Sequence, residues 1–159
     1  MLDKIDHKIL QLLQEDSSLS NAALAEKVGL KASTIYERVK KLERKNIIKG
    51  YVALVDPDAV GKPILAFIRL TVGSTPDFMK SKQSVAEVCL REPNVLECHA
   101  LAGHDDYLLK VRAANTQDLE LIIARIRSNA TVANSVSSIV LSSFKETLKL
   151  TPSGDVETP

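Results

Sequence analysis

Three observations predict an α+β chain in two parts. Apolar residues keep helical spacing up to residue 50, a turn-rich break falls at 56–63, and the pattern after Pro63 runs strand, helix, strand, strand, helix, strand. The first part, residues 1–55, reads as a winged helix-turn-helix. The second, residues 64–150, reads as a ferredoxin-like βαββαβ sandwich, with a linker at 56–63 and a tail at 151–159.

The elements follow in order. Ile5, Ile9, Leu12 and Leu13 share one face of a first helix, with Asp3 placed to cap it and Asp6 in its first turn. Ser20 is a natural N-cap for a second helix that turns Ala23, Leu24 and Val28 inward and ends at Gly29, a residue suited to the positive φ of a helix C-terminus. A third helix starts near Ala32 and repeats Ile35, Val39 and Leu42, so one stripe is buried and the opposite face is free. Ile47–Val55 reads as a short strand beside these helices. Asp56–Pro63, DPDAVGKP, is dense in turn formers.

In the second part Ile64–Val72 is a largely apolar strand, and a helix over 77–91 carries Phe78, Val85, Val88 and Cys89 on one face. Val95–Ala102 and Tyr107–Ala113 are strands separated by the polar GHDD. Gln117–Ser128 aligns Leu119, Ile122, Ile123 and Ile126, and Val136–Leu148 alternates serines with aliphatics. Two helices cover one face of such an antiparallel sheet and leave the other in need of cover, for which dimerisation is an economical solution. The tail from Thr151 has no apolar periodicity and is expected to be disordered.

Composition narrows the class. At 159 residues, 45% hydrophobic and 26% charged, the chain is neither fibrous nor dominated by disorder. It has no apolar run long enough to span a membrane and no secretory signal, so a cytoplasmic location is expected. Cys89 and Cys98 read as small buried thiols, with a disulfide the minority alternative. Charge is uneven: residues 1–50 hold 10 Lys and Arg against 7 Asp and Glu, whereas residues 51–159 hold 11 against 13. From Lys31 to Lys49 seven cations face only Glu37 and Glu43, and phosphate is their natural match. A basic helix face alone is usually just solvated surface; here the preceding helix, the Gly29 turn and the following strand agree on a DNA-reading unit.

On the third helix Ser33, Thr34, Glu37 and Arg38 lie off the buried stripe near its N-terminal half and are candidates for base edges, with Tyr36 at the margin between packing and contact. Lys40, Lys41 and Lys45 lie further on and suit phosphates.

The motifs LDKIDHKIL (2–10), LAEKVGL (24–30), ERVKKLERKNIIKGYVALVDP (37–57) and GHDDYLLKV (103–111), in this order, resemble the leucine-responsive/asparagine regulator (Lrp/AsnC) family of transcription factors over roughly residues 1 to 150. The resemblance implies a homodimer, commonly assembled further into a tetramer or octamer, that binds pseudo-palindromic double-stranded DNA. It also implies an effector, usually an amino acid and no other cofactor, held where C-terminal domains of neighbouring dimers meet. Carried onto this chain, the turn Gly103, His104, Asp105, Asp106, Tyr107 forms much of that pocket, with Ser138 a weaker candidate for a second wall.

The chemistry fits independently. An α-amino acid needs an anionic acceptor, which Asp106 supplies, and N–H donors for its carboxylate, which the backbone of 103–105 supplies; Gly103 permits close approach. The plain alternative is that Gly and Asp here simply make a hairpin loop. The chain departs from the family at two positions. Lys31 stands where a capping Ser is common, leaving Ser33 as a substitute cap or Lys31 as a phosphate contact, and Asn46 stands where Gly commonly ends the recognition helix.

Two other functions compete. An enzyme on the same scaffold, like the tetrapyrrole decarboxylases related to this architecture, calls for a degraded recognition helix and several pocket histidines, whereas this chain has a basic helix and three histidines in all. RNA binding on the sheet needs exposed aromatics, and the chain is 4% aromatic. His99, His104, Asp105 and Asp106 match no established ligand spacing, so no metal is expected.

Overall fold

Asp3 begins the first helix, α1 (Lys4–Glu15), through a capping box: its carboxylate accepts from the Asp6 N–H at 2.8 Å and the Asp6 carboxylate reaches back to the Asp3 N–H at 3.3 Å. α2 (Asn21–Val28) is capped by Ser20, which accepts from Ala23 N–H at 3.2 Å, and closes on Gly29 at φ 79°. α3 (Ala32–Arg44) buries Ile35, Val39 and Leu42 against Ile9, Leu24 and Ala25. The chain leaves α3 through Asn46 at φ 54°, a left-handed position that asparagine tolerates better than most residues. The structure, a computed structural model, describes residues 2–73, 78–129 and 132–151, apart from the side chains of 78–84 and 129. The expectations for Phe78 and for the tail beyond 151 lie outside these residues.

The second unit is a four-stranded antiparallel sheet in the order β2-β3-β1-β4, built from β1 (Ile64–Val72), β2 (Val95–Ala100), β3 (Tyr107–Ala113) and β4 (Val132–Ile139). Two helices, α4 (Phe78–Arg91) and α5 (Thr116–Asn129), supply Val85, Cys89, Leu119, Ile122 and Ile126 to a core closed by Ala66, Ile68, Leu70, Val72, Tyr107, Leu109, Val111 and Ala113. The chain order is the expected βαββαβ.

Side chains alternate across the sheet, so residues out of phase with this core point to the other face: Leu65, Phe67 and Arg69 on β1, Leu108, Lys110 and Arg112 on β3, and Val136 and Ser138 on β4. The turn that precedes β1 is built by Val60 and Lys62 N–H groups bonding back to Asp56 and Pro57, and Lys62 Nζ bonds Asp118 at 3.2 Å.

Two expectations are corrected. No ladder includes Ile47–Val55: this segment is irregular, because a strand exists only with a hydrogen-bonding neighbour and none of the described strands runs beside it. The last strand is Val132–Ile139 and not Val136–Leu148. Its register with β1 runs from Val72↔Val132 to Ala66↔Ile139, and β1 starts at Ile64, so after the Val140 N–H reaches Leu65 O at 2.9 Å only Ile64 of β1 remains, too little to pair a strand running to Leu148. Lys145–Leu150 groups with Leu2–Leu54 in one unit, whereas the other unit lies within Val55–Phe144. Gln14 exchanges two hydrogen bonds with the Leu150 backbone, 2.7 and 3.0 Å, and Lys149 pairs with Glu15 at 2.6 Å.

Just beyond α4, the buried Glu92 carboxylate takes Arg125 Nε at 2.8 Å and Asn94 Nδ2 at 2.8 Å. The Arg125 bond above all, then the Asn94 bonds, hold Glu92 below its ordinary 4.5. A depressed carboxyl pKa adds stability that is complete above the unfolded-state value and is lost as pH falls through the folded-state one. Glu92→Gln therefore lowers stability at neutral pH, and its deficit against the parent protein shrinks as pH drops below about 4.5. Urea unfolding at a series of pH values measures this; a pH-independent deficit contradicts it.

Candidate functional site

The buried stripe of α3 orients everything else on it. With Ile35, Val39 and Leu42 inward, Lys31, Ser33, Thr34, Tyr36, Glu37, Lys40, Lys41, Arg44 and Lys45 are exposed. Ser33, Thr34, Glu37, Arg38, Lys41 and Arg44 line an open cleft of ≈ 550 Å³, completed by Asp3. Lys31 occupies the N-cap position with no side-chain cap bond, and Ser33 falls inside the helix, so the first-turn N–H groups of α3 point outward beside a cation. Lys31, Lys41, Arg44 and Lys45 form no ion pair among the described residues.

Arg38 differs from the expectation. Its Nη1 bonds Asp3 Oδ2 and Asp6 Oδ1, both at 2.7 Å, and these bonds raise its pKa while the Arg38 contact helps to lower that of Asp3. Asp6 is only 4% exposed, so Arg38 neutralises a buried carboxylate and ties α3 to the start of α1. Lys40 is also engaged: it bonds Glu43 at 2.7 Å and lies 5.9 Å from the Tyr36 ring centroid, while Tyr51 Oη donates to Glu43 at 3.2 Å. Tyr36, 47% exposed, thus carries a cation on its face and remains open to solvent.

Sequence reasoning counted Arg44 among the cations without placing it at the site. Its spacing of three from Lys41 and seven from Glu37 puts it on their face and was the available signal.

The loop between β2 and β3 sits at the far end of β1. The Asp106 carboxylate accepts from Val72 N–H at 2.7 Å, its own N–H donates to Leu70 O at 2.9 Å, and Leu101 N–H donates to Asp106 O at 2.8 Å. At least one Asp106 oxygen is therefore committed to holding the loop. Asp105 is the better placed anion: it lies 3.8 Å from Arg69 Nη1 and 3.5 Å from His104 Nδ1, whose ring is 93% exposed. A Cβ built on Gly103 meets nothing within 4 Å, which leaves that side of the backbone open to a ligand.

Tyr107 faces the core at 4% exposure, and burial lifts its phenol above the usual range, so its ring does not line an open pocket in this chain. Ser138 pairs with Phe67, three residues, or roughly 10 Å, along β1 from the end that meets the loop. The structure does not bring it to Gly103–Asp106 within one chain. Asp106→Ala removes the bond to Val72 and is expected to cost about 1 kcal/mol in urea unfolding, whereas Asp105→Ala leaves stability unchanged. Equal effects of the two would contradict this division of roles.

Among the described residues no cluster of three His, Cys, Asp or Glu is placed to hold a metal, and no helix is long and apolar enough to cross a membrane.

Comparison with known proteins decides the class. A profile for winged helix-turn-helix DNA-binding domains matches residues 2–49, and one for the Lrp/AsnC ligand binding domain matches residues 65–150. The chain belongs to the Lrp/AsnC family. It is 33% identical to the HTH-type transcriptional regulator FL11 of Pyrococcus furiosus, covering 94% of this chain and 96% of that one. It is 38% identical to the leucine-responsive regulatory protein of Haemophilus influenzae, covering 77% and 72%. Among solved structures, a transcriptional regulator of Neisseria meningitidis in complex with L-Met superposes with a TM-score of 0.87 at 36% identity, covering 94% of this chain and 96% of that one. A feast or famine regulatory protein of M. tuberculosis complexed with L-methionine gives 0.84 at 31%, covering 96% and 100%.

This Lrp/AsnC protein is thus a DNA-binding transcriptional regulator with a ligand-binding domain. Its relatives are named as regulators, and the enzyme reading finds no support among them.

Proposed function

We propose that two copies of this Lrp/AsnC regulator pair through the open face of the sheet and present two α3 helices to successive major grooves of a pseudo-palindromic operator, about 34 Å apart. In this arrangement Ser33, Thr34 and Glu37 meet base edges, and Lys31, Lys41, Arg44 and Lys45 meet phosphates. The observation that carries the reading is the α3 face, where Lys41 and Arg44, which form no ion pair among the described residues, share one open cleft with Ser33 and Thr34 beside an uncapped helix start. Leu65, Phe67, Leu108 and Val136 give the open sheet face its apolar content, which supports a homodimer as the unit that assembles into tetramers or octamers.

The effector is an amino acid bound at the 101–106 loop where dimers meet. Asp105 takes the ammonium, and backbone N–H groups near Gly103 take the carboxylate. L-methionine is the first ligand to test, because two close structural neighbours are complexes with it. Thermal-shift screening of the twenty amino acids, with native mass spectrometry in parallel, tests this. A stabilising ligand at 100 times its Kd adds about 2.7 kcal/mol, and it should change the subunit count. No shift with any amino acid would remove the effector reading and leave the DNA-binding one to be judged on its own.

A further inference from the structure

The two cysteines lie outside the DNA and effector sites proposed above, and the fold places both in one core. Cys89 lies on α4 inside the core, 6% exposed, and Cys98 packs against the same core from the edge strand β2, where it is partly exposed. In register, Cys98 pairs with Leu109 on the helix-covered side of the sheet, the side on which α4 lies. Both thiols are free, and each shifts the ionisation of the other. Eight residues of sequence separate them, so a bond between them would tie the last turns of α4 to the edge strand across one connection.

We propose that Cys98 is a thiol-modification site for peroxides and that the pair converts such oxidation into a reversible Cys89–Cys98 disulfide. Two features set the direction of the chemistry. The hydrogen bond from Cys89, together with the nearby His99 ring, holds the Cys98 thiol down to about 7, so the more accessible sulfur is the one that ionises near neutral pH. The same hydrogen bond and burial push Cys89 well above the ordinary thiol range while Cys98 carries the charge.

In the first step the Cys98 thiolate attacks hydrogen peroxide. An S–O bond forms, the O–O bond breaks, and hydroxide leaves and takes a proton to become water, giving the sulfenic acid. In the second the Cys89 sulfur attacks the Cys98 sulfur. The S–S bond forms, the S–O bond breaks, and hydroxide leaves with the Cys89 proton as a second water. Two thiols and one peroxide thus yield one disulfide and two waters. The neutral sulfenic acid no longer carries the Cys98 charge, which removes one of the influences that raise Cys89.

The test is intact mass of the full chain, reduced, treated with a tenfold excess of hydrogen peroxide and then alkylated. The expected product is lighter by about 2 Da, takes up no alkylating agent and reverts with dithiothreitol. In Cys89→Ala the reaction is expected to stop at a dimedone-trappable sulfenic acid on Cys98, and in Cys98→Ala Cys89 stays unoxidised. The proposal is overturned if both cysteines of the unsubstituted protein remain alkylatable, if Cys98 proceeds to sulfinic acid without a bridge, or if the bridge joins two chains.

Discussion

Replacing Lys41 and Arg44 together by alanine is expected to weaken binding to a mixed-sequence DNA duplex by about tenfold to a hundredfold at 0.1 M salt, and to flatten the log–log salt slope by about 2 per protomer. Both side chains are exposed on the cleft side of α3 and neither forms an ion pair among the described residues, so each is free to displace a counterion from the duplex. Lys40 makes the useful control. Its ammonium is held by Glu43 at 2.7 Å, and a phosphate must compete for it, so Lys40→Ala should change the slope less than either neighbour does. Fluorescence anisotropy across a salt series reads both variants. An unchanged slope in the double variant, with binding intact, would place the phosphate contacts elsewhere. Because neither side chain is buried, thermal stability should remain at the parent value, which separates a contact from a folding defect.

Arg38→Ala is expected to destabilise the N-terminal unit by about 2 kcal/mol and to weaken DNA binding through α3 rather than through a lost base contact. Its guanidinium joins Asp3 and Asp6 at 2.7 Å each, and Asp6 is nearly sealed from water, so the truncation leaves a buried carboxylate without its cation. The magnitude is set below that of a fully enclosed pair because the Arg38 side chain retains 26% exposure and is partly screened.

A rescue distinguishes the two roles. Combining Arg38→Ala with Asp6→Asn removes the stranded charge, and thermal unfolding should return most of the loss. If Arg38 instead read a base, its truncation would relax sequence preference without lowering the melting temperature, and Asp6→Asn would restore nothing.

What could be read from the chain alone was whatever depends on neighbours in sequence. The stripes of α1, α3 and α5, the Val85, Val88 and Cys89 part of the α4 stripe, the Ser20 cap, the left-handed Gly29 and Asn46, and the limits of β1 and β3 are set by periodicity and local backbone chemistry, and these agree with the structure. What was misread depends on partners far along the chain. Arg38 looks like any exposed cation until Asp3 and Asp6, 35 and 32 residues earlier, are folded beside it. The serine alternation beyond Ile139 has strand periodicity but only Leu65 and Ile64 of β1 left beside it, and Ile47–Val55 lacks a neighbour altogether among the described strands. Asp106 was legible as a loop acid, but its bond to Val72 was not, since that bond comes from the return of β1 to the same corner of the sheet.

The central claim is that the exposed side of α3 is the surface that meets DNA, and an NMR titration of the labelled protein with a duplex tests it residue by residue. The account predicts that amide shifts concentrate at Lys31–Thr34, Glu37, Lys41 and Arg44, fade as salt is raised, and leave the 101–106 loop unmoved. Shifts centred on the sheet or the loop, with α3 silent, would contradict it.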